Sequence, residues 1–180
     1  MALPVPTPLV CLSVYPKLRL NISGNNSKAH LDPVFESDEE IWVLNGKGAT
    51  LPRYDRVFQM HLPCDWGGQW SQNWLRDNRK VPVFMREVHP EIPMSVRYPF
   101  EEVHQGLFTS SVCWAIALAI FEGWPKIRVF GVELTDKEYQ GQAAGFAYWK
   151  GYADGIGIEL NIECESVFNV PLYGSYPLEG

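Results

Sequence analysis

The alternation of helical and extended patterns in the second half of the chain limits the fold more than any other feature. A mostly apolar helical pattern over Thr109–Glu122 precedes a β-branched run over Lys126–Val132. A second helical pattern over Gln140–Asp154 precedes a last apolar run over Ile158–Ile162. Because neighbouring parallel strands are joined by crossover connections, usually helices, this order predicts an α/β fold with a parallel sheet.

Shorter apolar or alternating runs in the first half predict further strands. They lie at Lys17–Ser23, Glu40–Leu44, Arg56–His61, Val81–Met85 and Ser95–Tyr98. Pro82 falls inside the fourth run and indicates an edge strand or the start of a strand. We therefore predict a single Rossmann-like domain over residues 1–180, with three layers around the sheet and irregular segments at residues 1–16 and 168–180.

The composition limits the classes of partner. Hydrophobic residues make up 46% of the chain, which is enough for one core. The formal net charge of −6 gives no overall field that would attract a phosphate backbone, so we do not expect a nucleic-acid partner. The four cysteines are scattered without a CxxC pair, so we expect no zinc ribbon or redox motif.

The sequence also predicts a cytoplasmic protein. No apolar run reaches the roughly 20 residues that cross a bilayer. The N-terminal stretch lacks a basic start and contains several prolines, which is not typical of a signal peptide. A small molecule is the expected partner, and the sequence leaves open whether the chain forms a homo-oligomer.

Aromatic residues are abundant, with seven tryptophans and eight tyrosines. Trp66, Trp70 and Trp74 fall in a stretch that we interpret as loops, and aromatic side chains in loops often line ligand clefts. The alternative is that they fill the core of a small domain.

Ligands of open parallel sheets bind outside the carboxyl ends of the strands, so the residues that follow each predicted strand are the first candidates. The first strand leads into a turn with Gly24, Asn25 and Ser27, whose backbone N–H groups could face an anion. The second strand ends at Asn45, whose amide could bind the edge of a base or sugar. An ordinary turn also explains the Gly24 segment without a ligand, and we favour this interpretation.

Other polar residues at this edge could carry out acid–base chemistry. His61 ends the third predicted strand and could act as a general base near neutral pH, although a hydrogen-bonded structural histidine is an equal alternative. Glu133, Glu138 and Tyr139 follow the strand predicted at Lys126–Val132. Such a loop could hold ribose hydroxyls, accept a proton, or bind Mg²⁺ together with substrate phosphates, but no dedicated metal cage is visible. A solvated loop is the alternative.

Three successive hydroxyl residues open the apolar helix. Thr109, Ser110 and Ser111 precede its apolar residues, and Gly123 predicts its end. Hydroxyl and free N–H groups at the positive end of a helix form an anion site. One residue would be enough as a cap, so we predict that this segment contacts a ligand.

Several motifs resemble those of known proteins. The run FTSSVCWAIALAIFEGWPKIRVFGVEL resembles the core of bacterial CMP-sialic-acid-dependent sialyltransferases. Other motifs resemble those of small, often phage-encoded Rossmann-like proteins with a similar fold, over roughly residues 24–162. These motifs appear as Glu40-Ile41-Trp42 with Asn45, as Pro52, Asp55, Phe58, Met60 and His61, and as Glu138-Tyr139 with Gln142, followed by Tyr148-Trp149 through Ile158.

The resemblance implies a nucleotide-sugar donor. Asn45, Gln142 and the hydroxyl residues at 109–111 would then hold the nucleotide, and His61 or the acidic loop would activate an acceptor. Two departures separate the chain from the sialyltransferases. The Gly24–Ser27 turn lacks their Gly-Asn/Ser-Gly-Pro-Ser pattern, and the region of their catalytic histidine holds Glu138–Gln142 without a histidine.

Three hypotheses follow for the function. The first is a nucleotide-sugar-dependent, glycosyltransferase-like enzyme. The second is a protein that binds a nucleotide-derived metabolite without chemistry. The third is a phage structural or interaction protein.

Overall fold

A parallel β-sheet organises the part of the chain that the computed structural model describes, residues 20–23, 39–66, 68–132 and 141–163. The strands are β1 Leu20–Ser23, β2 Glu40–Leu44, β3 Arg56–Gln59, β4 Val83–Met85, β5 Ser95–Arg97, β6 Lys126–Phe130 and β7 Glu159–Ile162. The α-helices are α1 Gln69–Asp77, α2 Ser111–Phe121 and α3 Ala143–Gly155. Two 3₁₀ helices span Asn45–Thr50 and Pro63–Asp65.

These seven strands form one sheet in the order β5-β4-β3-β2-β1-β6-β7, and every neighbouring pair is parallel. Side chains alternate between the two faces. Trp42 and Phe58 lie in the core under α2 and α3, whereas Val43 and Val57 lie in a second core with Leu75 of α1. The sheet is therefore the middle of three layers, and the predicted Rossmann-like α/β fold is confirmed.

Most of the predicted elements are present with shifted ends. The prediction for β2 matches the structure at both ends, and β3 ends at Gln59, two residues before the predicted limit. Pro82 precedes β4, which lies between β3 and β5 and is not an edge strand. Proline has no N–H to donate to a neighbouring strand, which usually excludes it from the middle of a sheet. At position 82 only the carbonyl takes part in the sheet, where it accepts a hydrogen bond from the N–H of Val57 at 3.0 Å. The predicted ends of the domain lie outside the described residues.

The first half contains a helix that the sequence did not predict. Trp70 and Trp74 belong to α1 and not to a loop. Leu75 is the buried residue of this helix, which has only nine residues and is therefore shorter than the window over which a helical period is recognised. Packing of its aromatic side chains stabilises it, since the rings of Trp74 and Tyr54 lie 5.8 Å apart.

Helix α2 follows the prediction closely. Ser110 is its N-cap, and the Ser110 Oγ accepts from the N–H of Cys113 at 3.4 Å. Gly123 follows the helix with a φ of 75°, the left-handed conformation that favours glycine. Seven of its eleven residues are buried, because the helix packs between the sheet and α3. Tyr98 holds its middle turn by donating to the carbonyl of Trp114 at 2.9 Å.

Gly145 allows α3 to approach α2 closely. A Cβ at this position would lie 2.8 Å from Cys113 Sγ and 3.1 Å from the carbonyl oxygen of Leu107, and would overlap with Thr109 Oγ1. Gly151 of the same helix has open space where its Cβ would be. The two glycines therefore give a matched test of this contact.

We expect Gly145→Ala to lower the free energy of unfolding by about 1–3 kcal/mol, because overpacking displaces side chains or the helix. Gly151→Ala should raise it by about 0.5–1 kcal/mol, because alanine favours a helix over glycine. Urea unfolding of both variants would measure this. Equal effects of the two substitutions would show that α2 and α3 do not touch at Gly145.

Candidate functional site

The strand order defines a crevice at the carboxyl edge of the sheet. Strands β2 to β5 follow one another on one side of β1, and strands β6 and β7 lie on the other side of β1. The direction therefore reverses between β1 and β6, which are hydrogen-bonded neighbours. Ligands of open parallel sheets bind outside the carboxyl ends of the strands at such a point.

Several predicted site residues lie outside the described residues. They are Gly24, Asn25 and Ser27 after β1, and Glu133, Glu138 and Tyr139 after β6. The chain order places both segments directly after the two strands that flank the crevice.

The structure brings four predicted residues together at the starts of α2 and α3. Each helix ends shortly before a strand of the parallel sheet, so the C-terminus of the helix lies at the amino edge of the sheet. Its N-terminus therefore lies at the carboxyl edge. Thr109 Oγ1 donates to the backbone carbonyl of Gln142, the N-cap of α3, at 2.9 Å. Ser110 caps α2, and Ser111 is its first residue. All four residues are half-buried.

This arrangement suits an anion. The first N–H groups of a helix have no partner within the helix, and they form the positive end of its dipole. The side chain of Gln142, the N-cap residue of α3, makes no capping hydrogen bond. Two such ends meet where the Thr109–Gln142 hydrogen bond joins them, so their electrostatic effects add at one place.

A second group of polar atoms lies at the carboxyl ends of β2 and β3. The ladder pairs Leu44 with Phe58, which places Asn45 and Gln59 next to each other one residue further on. Gln59 is only 1% exposed. Neither Asn45 Oδ1 nor Gln59 Oε1 has a hydrogen-bond partner among the described residues, although both atoms are buried. Asn45 also has a φ of 51°, a left-handed conformation that asparagine tolerates better than most residues.

Buried acceptors without a partner are rare in proteins and are costly for stability. A ligand hydroxyl or amine, or an ordered water that a ligand contacts, would satisfy them. Gln59 was missed from the sequence. A polar amide between Phe58 and Met60 was the signal that could have revealed it, because the neighbouring residues of this strand are apolar and lie in the two cores.

His61 follows β3 at the same edge with an exposed side chain. Its backbone carbonyl accepts from Trp66 Nε1 at 3.0 Å, which fixes the main chain at this position. Neighbouring strands lie about 4.8 Å apart, so β3 is about 10 Å from β1. Asp55 has a structural role, because its Oδ2 accepts from the N–H of Ile41 at 2.8 Å.

Comparison with solved structures identifies the relatives of this fold. The fold is similar to that of a sialyltransferase. The sialyltransferase CstII from Campylobacter jejuni, in complex with cytidine-5'-monophosphate, has a TM-score of 0.51 and 13% identity over 89% of this chain and 85% of that chain. A structure of the sialyltransferase CST-II with a trisaccharide acceptor and CMP has a TM-score of 0.51 and 11% identity over 84% and 83%.

No protein-family model matches the sequence, and no curated protein matches it. At such low identity the similarity concerns the fold.

Two further features bear on the class of site. Among the described residues, no group of three or more His, Cys, Asp or Glu side chains could hold a metal ion. In the same part of the chain, no helix has the length and apolar character to cross a membrane.

We expect Gln59→Met to stabilise the ligand-free protein by about 1 kcal/mol, because it replaces a buried acceptor without a partner by an apolar group of similar shape. Asn78 is the matched control, since it is 7% exposed and its side chain is fully bonded. Asn78→Leu should lower the free energy of unfolding by about 1–3 kcal/mol. Urea unfolding would compare the two variants, and a similar loss in both would mean that Gln59 Oε1 has a partner.

Proposed function

We propose that the chain binds a nucleotide, or the nucleotide part of a sugar nucleotide, at the carboxyl edge between β1 and β6. One observation carries this proposal. The N-termini of α2 and α3 meet at this edge and are joined by the hydrogen bond from Thr109 to Gln142. Ser110, Ser111 and the backbone N–H groups of both helices would bind the phosphate. Gly24, Asn25 and Ser27 would contact it from the end of β1.

The sugar would extend along the edge from β1 towards β3. The strand spacing gives a distance of about 10 Å, which suits a sugar attached to the phosphate. Asn45 and Gln59 would receive hydrogen bonds from its hydroxyl groups, directly or through an ordered water. The similarity to a sialyltransferase fold that was solved with CMP supports a nucleotide as the ligand.

Glycosyl transfer is the chemistry that this arrangement supports best. The acceptor hydroxyl would lose its proton to the imidazole of His61 while its oxygen forms a bond to the anomeric carbon. The bond from that carbon to the phosphate oxygen would break, and the helix N-termini would stabilise the charge of the leaving nucleotide. Glu133, Glu138 and Tyr139 are further candidates for proton transfer, and their loop is the candidate site for Mg²⁺.

Nucleotide binding is the first property to measure. A ligand at 100 times its Kd adds about 2.7 kcal/mol of stability. For a chain of this size this corresponds to a Tm increase of about 5–11 °C. We expect such an increase with at least one member of a panel of nucleotides and sugar nucleotides, measured with and without Mg²⁺. No increase with any member would contradict the proposal.

The ligand found in this panel allows a test of the phosphate position. Ser110→Asp keeps a good N-cap and adds a negative charge, whereas Ser110→Asn keeps the cap without the charge. Two unit charges 4 Å apart interact by about 1 kcal/mol in water and about 4 kcal/mol near a protein surface. We expect Ser110→Asp to weaken binding at least tenfold and Ser110→Asn to bind nearly as the parent chain does. Equal affinities of the two variants would place the phosphate elsewhere.

Binding without chemistry is the second candidate function. Among the described residues, no carboxylate is within hydrogen-bond reach of His61 to orient its ring, which favours this alternative. Turnover of sugar nucleotides separates the two functions.

If the chain is a transferase, His61→Ala should lower kcat by a factor of about 10²–10⁴. The nucleotide Kd should stay the same, because His61 lies about two strands from β1. The measurement is donor turnover under saturating acceptor, with Phe121→Ala as the control, because Phe121 is exposed at the opposite end of α2. Binding of a sugar nucleotide that remains intact after long incubation would instead establish the second function.

A further inference from the structure

Near the proposed site, His104 packs against Tyr148 and Tyr152 of α3, and the three residues form an aromatic cluster. Their three rings are parallel within 7°. His104 stacks on Tyr152 with 4.2 Å between the ring centroids. His104 Nε2 and Tyr148 Oη share a hydrogen bond of 2.7 Å, which sets these two rings edge to edge. We call these three residues the aromatic platform.

The surroundings fix the platform in place. Trp149 is fully buried, and its ring meets those of Tyr148 and Tyr152 nearly at right angles. Trp149 Nε1 donates to the carbonyl of Leu107 at 3.0 Å. Gly106 lies so close that a Cβ there would be 2.9 Å from Trp149 Cζ2. The rings are therefore ordered before any ligand binds, which lowers the entropic cost of binding.

The platform is partly open to solvent and carries little net charge. The side chain of His104 is exposed, and Tyr148 is 36% exposed. Neighbouring Lys150 and Asp154 form an ion pair at 2.5 Å and so neutralise each other. Tyr148, Tyr152 and this ion pair therefore offer a highly charged ligand no unpaired charge. Flat apolar ring faces with hydroxyl and imidazole groups at their edges instead suit a ligand with both apolar and hydroxyl surfaces.

The position of the platform connects it to the proposed site. Segment 104–109 runs beside α3. It contacts α3 at one end through the stacking of His104 on Tyr152, and at the other end through the hydrogen bond from Thr109 to Gln142. A helix rises 1.5 Å per residue, so Tyr148 and Tyr152 lie about 9 and 15 Å along α3 from Gln142. An acceptor whose distant sugar units lie on the platform would continue past Gln142 and along the carboxyl edge to the donor sugar, which extends from β1 towards β3.

We propose that the aromatic platform binds a neutral oligosaccharide, the acceptor of the glycosyl transfer proposed above. This inference rests on the proposed function. The CH faces of the sugar rings would pack on His104 and Tyr148, and sugar hydroxyls would bond to the edges of the rings. A nucleic acid could also stack on such rings, but the net charge of −6 disfavours it.

The test measures saccharide binding directly, without turnover. Lactose, maltotriose and chitotriose would be titrated against the full chain by saturation-transfer NMR, with and without CMP. We expect at least one to bind, and His104→Ala and Tyr148→Ala each to weaken it about tenfold. Phe121→Ala is the matched control, since Phe121 is an aromatic residue that is 51% exposed at the end of α2. It should leave the affinity unchanged.

The outcomes separate this inference from the proposed function. Nucleotide-induced Tm increases, recorded on the same variants, report on the crevice alone and should not change. No binding of any saccharide, equal binding to the platform variants, or stronger binding of oligothymidylate would overturn the inference while leaving nucleotide binding intact. Absence of nucleotide binding in the parent chain would overturn the proposed function instead.

Discussion

The close approach of α2 and α3 at Gly145 is the contact on which the candidate site depends. Without a side chain at this position, Thr109 reaches the carbonyl of Gln142 and joins the starts of the two helices. The same approach carries segment 104–109 along α3, because Trp149 donates to Leu107 within it. A single glycine in the packing interface therefore sets both the proposed phosphate site and the position of the aromatic platform.

The opposite end of α2 is held by charges. Arg56 lies between Glu40 at 2.7 Å and Glu122 at 2.5 Å, and its guanidinium covers the ring of Trp42 at 4.5 Å. Arginine suits this place because its planar group can bond to two carboxylates and stack on an aromatic ring at once. The C-terminus of α2 is thus fixed to β2 and β3 at the amino edge of the sheet. These bonds anchor the end of α2 that lies opposite its N-terminus at the carboxyl edge.

The sequence predicted the elements that are apolar throughout, and it failed where packing decides the structure. β2 and α2 are continuous apolar runs, so their limits were predictable to within two residues. Helix α1 has only nine residues, too few for a helical period to stand out, and its tryptophans were interpreted as loop residues. At the site, the order of residues placed Ser110 at a helix start, but the bond between Thr109 and Gln142 spans 33 residues and depends on how the helices pack. No local pattern could indicate it.

The distribution of polar groups at the carboxyl edge also limits the kind of ligand. The helix starts lie on the α2 and α3 side of the sheet, whereas Gln59 continues the alternation of Val57 on the other side and Asn45 follows the neighbouring strand β2. A ligand that satisfies both groups must cross the edge and not lie on one face. It must also combine an anionic part with a neutral part that donates hydrogen bonds. A sugar nucleotide meets both requirements, whereas inorganic phosphate or a free neutral sugar meets only one.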